Sequence, residues 1–222
     1  SAMGRYATIT DPNASDLTWE TATQYNVGID GGMWHDKLNF TVEGFIRDTK
    51  GMLQEGVALP GIYGADSPLM NSADLRTSGY ELSISWRDEF KLGGKPFGYS
   101  IVANLSDNKT IITKYDNPER TFAKDYYEGM ELGEIWGFVT DGLFQSDAEA
   151  QAYAQQVDLS YITGRLTGGW LAGDLKYVDI DGDGKISLGS DTVDKPGDRK
   201  ILGNANATLQ YGFTLGFDYF GF

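Results

Sequence analysis

The 222-residue chain has no cysteine and a single histidine. Without cysteine there are no disulfides, no thiolate metal sites and no thiol nucleophiles. The histidine, His35, lies between Trp34 and Asp36 in MWHDK, at an expected turn. A solvated imidazole is the ordinary case there, so Ser-His-Asp chemistry is left without a base. Basic residues are also few: 18 Lys and Arg stand against 32 Asp and Glu, a formal net charge of −14. Such a surface repels phosphate backbones and excludes nucleic acid as a partner, while it suits bound cations. No run of 18 apolar residues occurs, so no membrane helix is expected. Ser1 to Gly4, SAMG, read as a cloning scar and are set aside from fold reasoning.

What the chain does contain is glycine (29 residues), aromatics (13%) and period-two alternation. YELSISW places Tyr80, Leu82, Ile84 and Trp86 on one face and Glu81, Ser83, Ser85 and Arg87 on the other. The longer TLQYGFTLGFDYF sets Leu209, Tyr211, Phe213, Leu215, Phe217 and Tyr219 against Gln210, Gly212, Thr214, Gly216 and Asp218. QYNVGIDGGM, KLNFTVEGF and YSIVANLSDN alternate in the same manner. The pattern is that of antiparallel strands. A soluble sheet with one wet face alternates this way, and so does the wall of a membrane barrel. Three details belong to the barrel. The 209–219 run is long enough, at about 3.3 Å per residue, to cross most of a ~25 Å apolar band when tilted by about 45°. Its apolar face carries Tyr211 and Tyr219 near the two ends, and its other face is small and polar.

Long polar connections are expected over 54–77 and 109–202, and loops of that length in a folded chain are usually functional. Inside the second, QSDAEAQAYAQQV predicts one short helix near 146–157. Ser146 is the N-cap, Glu149 completes a capping box, and alanines fill the interior.

One stretch advertises metal chemistry. In DIDGDGKIS, Asp179, Asp181 and Asp183 occupy positions one, three and five of a calcium loop. Gly184 sits at six for the sharp turn, Lys185 at seven offers its carbonyl, and Ile186 at eight anchors the loop. Hard oxygen ligands suit Ca2+ rather than zinc. The second half departs: position twelve is Ser190, and Asp191 comes one residue late. LKYV before the loop is strand-like rather than helical. A metal-free Asp/Gly turn held by side-chain-to-backbone bonds is the alternative.

Several segments together resemble the SusC/RagA branch of the TonB-dependent outer-membrane transporters. They are LTWETATQYNVGID (17–30), NSADLRTSGYELSISWR (71–87), LGEIWGFVTDGLFQSDAEAQAY (132–153), GDLKYVDIDGDGKIS and GDRKILGNANATLQYGFTLGFDYFGF. They occur in the family's order and cover nearly the whole chain after residue 4. The resemblance implies a mainly β fold, with antiparallel strands from a partial outer-membrane β-barrel over 5–222, bearing long extracellular loops. It implies a non-catalytic piece of a nutrient importer without plug, TonB-contacting segment, first strands or last strands. The implied partners of the whole protein are TonB, a SusD-like surface lipoprotein, outer-membrane lipid and an oligosaccharide or peptide substrate. The family's Asp-before-Arg block points to Asp198 as the residue closing the Asp-rich loop, beside the Asp191 that spacing offers.

Other constellations carry less. Asp141, Asp147 and Glu149 near Trp136, Phe138 and Phe144 form either an acid-and-aromatic cleft of glycosidase type or a polar loop over a small core. Trp170, Tyr161 and Tyr177 either stack on sugar rings or pack the loop down. The competing function is a soluble extracellular β module, stabilised by calcium and binding glycan.

Overall fold

The computed structural model describes residues 17–55, 69–163 and 169–220. The four residues read as a cloning scar lie outside them. The strands are β1 (Thr21–Met33), β2 (Leu38–Glu55), β3 (Leu69–Leu92), β4 (Lys95–Lys114), β5 (Glu134–Phe138) and β6 (Thr140–Leu143). The helices α1 (Asp147–Ala154) and α2 (Ser160–Thr163) follow, then β7 (Leu175–Tyr177), β8 (Arg199–Asn204) and β9 (Gln210–Tyr219). The chain divides into two compact units: residues to Asp116 with those from Ala207, and the segment Asn117–Asn206.

The first unit is one antiparallel sheet in the order β1-β2-β3-β4-β9. Its register places the alternating apolar residues on common rungs. One rung runs Ile29, Val42, Leu82, Leu105, Tyr211, and another Met33, Leu38, Trp86, Ile101, Leu215. A one-residue slip would send each set to the opposite face, so the pattern itself specifies the pairing. The polar rungs between them include Asp30, Thr41, Ser83, Asn104 and Gly212. Here Thr41 Oγ1 donates to Asp30 at 2.7 Å and Ser83 Oγ to Asn104 at 2.8 Å.

Connections at the two sheet ends differ in length. β3 and β4 are joined by Gly93 and Gly94 at φ +60° and +81°, the left-handed pair that a two-residue hairpin turn requires. β1 and β2 are joined by the turn Trp34–Lys37, which contains His35 with a left-handed backbone. At the opposite end the chain leaves β4 for the second unit and returns at β9.

The expected loops are shorter than the sequence indicates. Over 54–77, β2 continues to Glu55 and β3 begins at Leu69; residues 56–68 between them lie outside the described part. The extra strand length is held across an irregularity at Gly51. Its amide donates to Asp74 Oδ1 at 2.8 Å, and its carbonyl accepts from the Asn71 side-chain amide. Over 109–202, β4 reaches Lys114 and β8 starts at Arg199.

The second unit is built on its own core. Phe144, Ala150, Leu159, Trp170 and Ile186 are buried, with Phe138, Tyr153, Val157, Ile162 and Tyr177 packed around them. Two short ribbons, β5–β8 and β6–β7, frame it. Helix α1 forms where expected: Ser146 Oγ accepts from the Glu149 amide at 3.2 Å. Glu149 reaches back to the Gln145 amide at 2.9 Å, one residue before the cap rather than the cap itself. Ala150 is the residue of α1 that enters the core.

Candidate functional site

In the second unit, the Asp-rich loop joins β7 to the segment leading to β8. Asp179 Oδ1 and Oδ2 accept from the amides of Gly182 (2.7 Å) and Gly184 (2.9 Å). Both glycines take positive φ, +76° and +81°, which lets the backbone curl around that carboxyl group. Asp181 accepts from the Asp183 amide at 3.2 Å. Asp198, 0% exposed, accepts from Ile180 N and Ser187 N, both at 2.7 Å, and so fastens both arms of the loop.

Of the sequence-derived ligands, the fold brings Asp179, Asp181 and Asp198 together, with one oxygen of each within 4.8 Å of the others. Asp183 turns toward Lys185, accepting from its amide at 3.1 Å and pairing with Nζ at 3.3 Å. Lys185 forms a parallel bridge with Asp158. Asp191 pairs with Arg199 at 2.8 Å, and the same guanidinium donates to Leu188 O and Pro196 O. The donor set of the three-acid group is all oxygen, as calcium prefers. Among the described residues no lysine or arginine pairs with Asp198, so its charge has only two amide dipoles to balance it. Asp181 is exposed and Asp179 partly so, so water screens part of the repulsion within the group, and a bound cation would relieve the rest.

The acid-and-aromatic cleft is not assembled as one. Phe144 is buried in the core, whereas Trp136 packs edge-on against Phe122, ring centroids 5.0 Å apart, and donates to Glu134. Asp147 accepts from the Ala172 amide at 2.9 Å. Glu149 is held below the usual carboxylate range by the Gln145 amide and Lys176. Asp158 is lowered likewise by Ser160. Burial pushes the Tyr153 phenol up, and its hydroxyl donates to Tyr177 O at 2.5 Å. These groups are tied into the loop's own structure. Trp170 packs edge-on against Phe144 and Tyr177, while Tyr161 remains half exposed beside Phe138.

The larger feature belongs to the sheet. Its apolar face is uncovered: Val27 is 77% exposed, Tyr211 83%, Phe213 64% and Phe217 67%. A sandwich would bury such a face. Tyrosines mark one limit of it. Tyr25 on β1, Tyr80 on β3 and Tyr211 on β9 descend two residues, from one apolar rung to the next, at each step across the sheet. Four strand spacings of about 4.8 Å against four residues of about 3.3 Å set this line at roughly 35° to the hydrogen-bond direction. Strands tilted by about 35–45° to a membrane normal would set a level girdle at that slant. The other limit, toward the short hairpins, holds Trp34 against Trp86 (5.9 Å), Phe97 near Tyr219 (6.1 Å) and Phe97 near Phe217 (6.1 Å). Between Tyr211 and Tyr219 the strand rises about 26 Å, or about 22 Å along the normal at that tilt, close to a barrel's apolar band.

Comparison with known proteins decides the family. The model of the TonB-dependent receptor-like β-barrel matches residues 2–218. The chain belongs to the TonB-dependent receptor β-barrel family. Relatives include TonB-dependent receptor P3 of Formosa agariphila, 26% identical over 96% of this chain and 20% of the relative. TonB-dependent receptor P39 of the same organism is 25% identical over 93% of the chain and 21% of its own length. Among solved structures, the RagAB peptide transporter aligns with TM-score 0.57 and 18% identity over 92% of this chain and 20% of its own. The open-open RagAB peptide importer aligns with TM-score 0.61, 18% identity, and 92% and 19% coverage. The likeness to these structures is one of fold. This TonB-dependent receptor chain spans about a fifth of the length of these relatives. The family is one of outer-membrane barrels.

Proposed function

We propose that the chain is a sector of barrel wall from an outer-membrane importer of oligosaccharides or peptides, non-catalytic, whose whole protein works with TonB and a SusD-like surface lipoprotein. The observation that carries this reading is the uncovered apolar face bounded by aromatic lines set at a membrane tilt. The opposite face, polar with Thr41, Glu43, Glu81, Ser83 and Asn104 around a depression of about 430 Å³, would face the lumen. The short hairpins would then be periplasmic, and the segment Asn117–Asn206 extracellular, as the length asymmetry of barrel turns requires. The test is uptake by a host carrying the full-length gene. Deleting that gene should abolish TonB-dependent accumulation of a labelled oligosaccharide or peptide mixture, and restoring it should return accumulation. Unchanged uptake of both cargo classes in the deletion strain would refute the importer reading.

We further propose that Asp179, Asp181 and Asp198 hold a calcium ion that fastens the extracellular segment. Their all-oxygen donor set and the burial of Asp198 support it. The ion would supply charge balance, not chemistry. Adding millimolar Ca2+ to chelator-treated full-length receptor should slow thermolysin cleavage within 117–206 several-fold, and Asp181→Asn should remove that response. Identical digestion with and without calcium would exclude a working site.

A further inference from the structure

Asp198 is not alone in gripping the Asp-rich loop. The link between α1 and α2 runs beside the loop and is bonded to it through both of its backbone groups at Asp158. The Asp158 amide donates to Gly184 O, and the Ile186 amide donates to Asp158 O, both at 2.8 Å. Next to this bridge, Leu159 on one side and Ile186 on the other enter the same core, 4% and 1% exposed. Helix α1 adds a second tie through Tyr153. Its hydroxyl donates to Tyr177 O just ahead of the loop, and the Asp179 amide faces the same phenol oxygen. The loop is therefore held at its start by Tyr153, on its return arm by Asp158, and on both arms by Asp198.

Each part of this arrangement is weak by itself. Helix α1 has eight residues and α2 four, and helices so short do not persist in water without tertiary contacts. The Asp158 bridge is two backbone bonds, less than an isolated hairpin needs to stand alone. Segments of this kind open locally before the molecule unfolds, so steadying one part steadies the other. The far end of α1 is tied elsewhere, by Asp147 to the Ala172 amide and by Glu149 to Lys176. The link after Tyr153, rather than the whole helix, depends on the loop.

We propose that residues 153–160 and the Asp-rich loop form one latch, which cation loading at Asp179, Asp181 and Asp198 closes. The inference rests on the calcium reading of those three residues and names what the ion controls. The observation that carries it is where the ties fall. Gly184 and Ile186 lie in the arc between Asp181 and Asp198, and Asp179 is itself a member of the group. Order imposed on that arc is imposed on Asp158. The coupling is mutual: whatever loading does for the Asp158 bonds, those bonds do for loading. Tyr153 is a positioning residue for the site, acting through the backbone at Tyr177 and Asp179.

The experiment uses full-length receptor in detergent, treated with chelator and titrated with calcium chloride. Binding is read by isothermal titration calorimetry and backbone opening by hydrogen exchange with mass spectrometry. In the native receptor, saturating Ca2+ should slow exchange at the Asp158 and Ile186 amides by at least about 5-fold, with Val42 and Leu82 of the sheet unchanged. Asp181→Asn, an exposed change that touches one loop bond, should remove the calcium effect at both amides. Tyr153→Phe should raise the half-saturating calcium concentration about 5-fold and shrink the protection. A tyrosine with a merely structural role would speed exchange equally with and without calcium. Saturable binding that leaves the two amides unprotected, or native affinity in Tyr153→Phe, would overturn the latch and leave the calcium site standing. Equal binding heat in native receptor and Asp181→Asn would overturn the calcium reading, and the latch with it.

Discussion

Replacing Leu215 with arginine is expected to cost about 2–4 kcal/mol and to prevent barrel assembly, whereas Thr214→Arg is expected to be tolerated. The two residues are neighbours on β9, pair with Ile101 and Val102 of β4, and project from opposite faces. Leu215 lies midway between Tyr211 and Tyr219, at the depth where a guanidinium is furthest from water on either side. Thr214 lies on the polar face, where an arginine stays hydrated in a lumen. Hydropathy makes the leucine change the larger of the two, and the face assignment adds that it alone would meet lipid. The measurement is the yield of heat-modifiable, protease-resistant receptor in the outer membrane. Equal loss from both variants would mean that the sheet has two dry faces. Equal tolerance would mean that neither face meets lipid.

Asp198→Ala is expected to be the most damaging single change in the segment Asn117–Asn206, at about 3–5 kcal/mol. The estimate sums two lost hydrogen bonds to a charged acceptor and the amides of Ile180 and Ser187 left without it. Asp198→Asn keeps one carbonyl acceptor and should lose roughly half as much. Limited proteolysis of 117–206 in urea reads both. Asp181→Ala is the control: its single loop contact is at 3.2 Å and its side chain is exposed, so it should shift stability by less than about 1 kcal/mol without calcium. If Asp198→Ala matched Asp181→Ala, Asp198 would not be the fastening residue.

These two residues also show how far the sequence could be read. Leu215 was legible because strand alternation is local: eleven residues of TLQYGFTLGFDYF declare both faces without knowledge of a partner strand. The start of β3 was not legible. LMNSADLRT has no alternation, and its strand character comes from β2, through contacts of Asn71 and Asp74 with Gly51 some 20 residues away. Spacing marked Asp179, Asp181 and Asp183 as one candidate set, and the fold brings the first two of them close to Asp198. Asp198 could be reached only through family resemblance, because the chain between Ser187 and Asp198 must fold back before the two meet. The choice between Asp191 and Asp198 is a matter of that fold: Arg199 draws Asp191 aside.

The placement of the second unit between β4 and β9 sets an order of assembly. Hairpins β1–β2 and β3–β4 close over a few residues, whereas Phe97 must find Tyr219 across the whole intervening segment. Closing so long a loop is slow rather than costly, since each doubling of loop length adds only about 0.6 kcal/mol. The β5–β8 ribbon shortens the search by setting Glu134 beside Asn204, six residues before β9 begins. A destabilised segment Asn117–Asn206 would therefore show itself first as an assembly defect. β9 would arrive late at its seam, with the edge of β4 left open to pairing with the wrong strand.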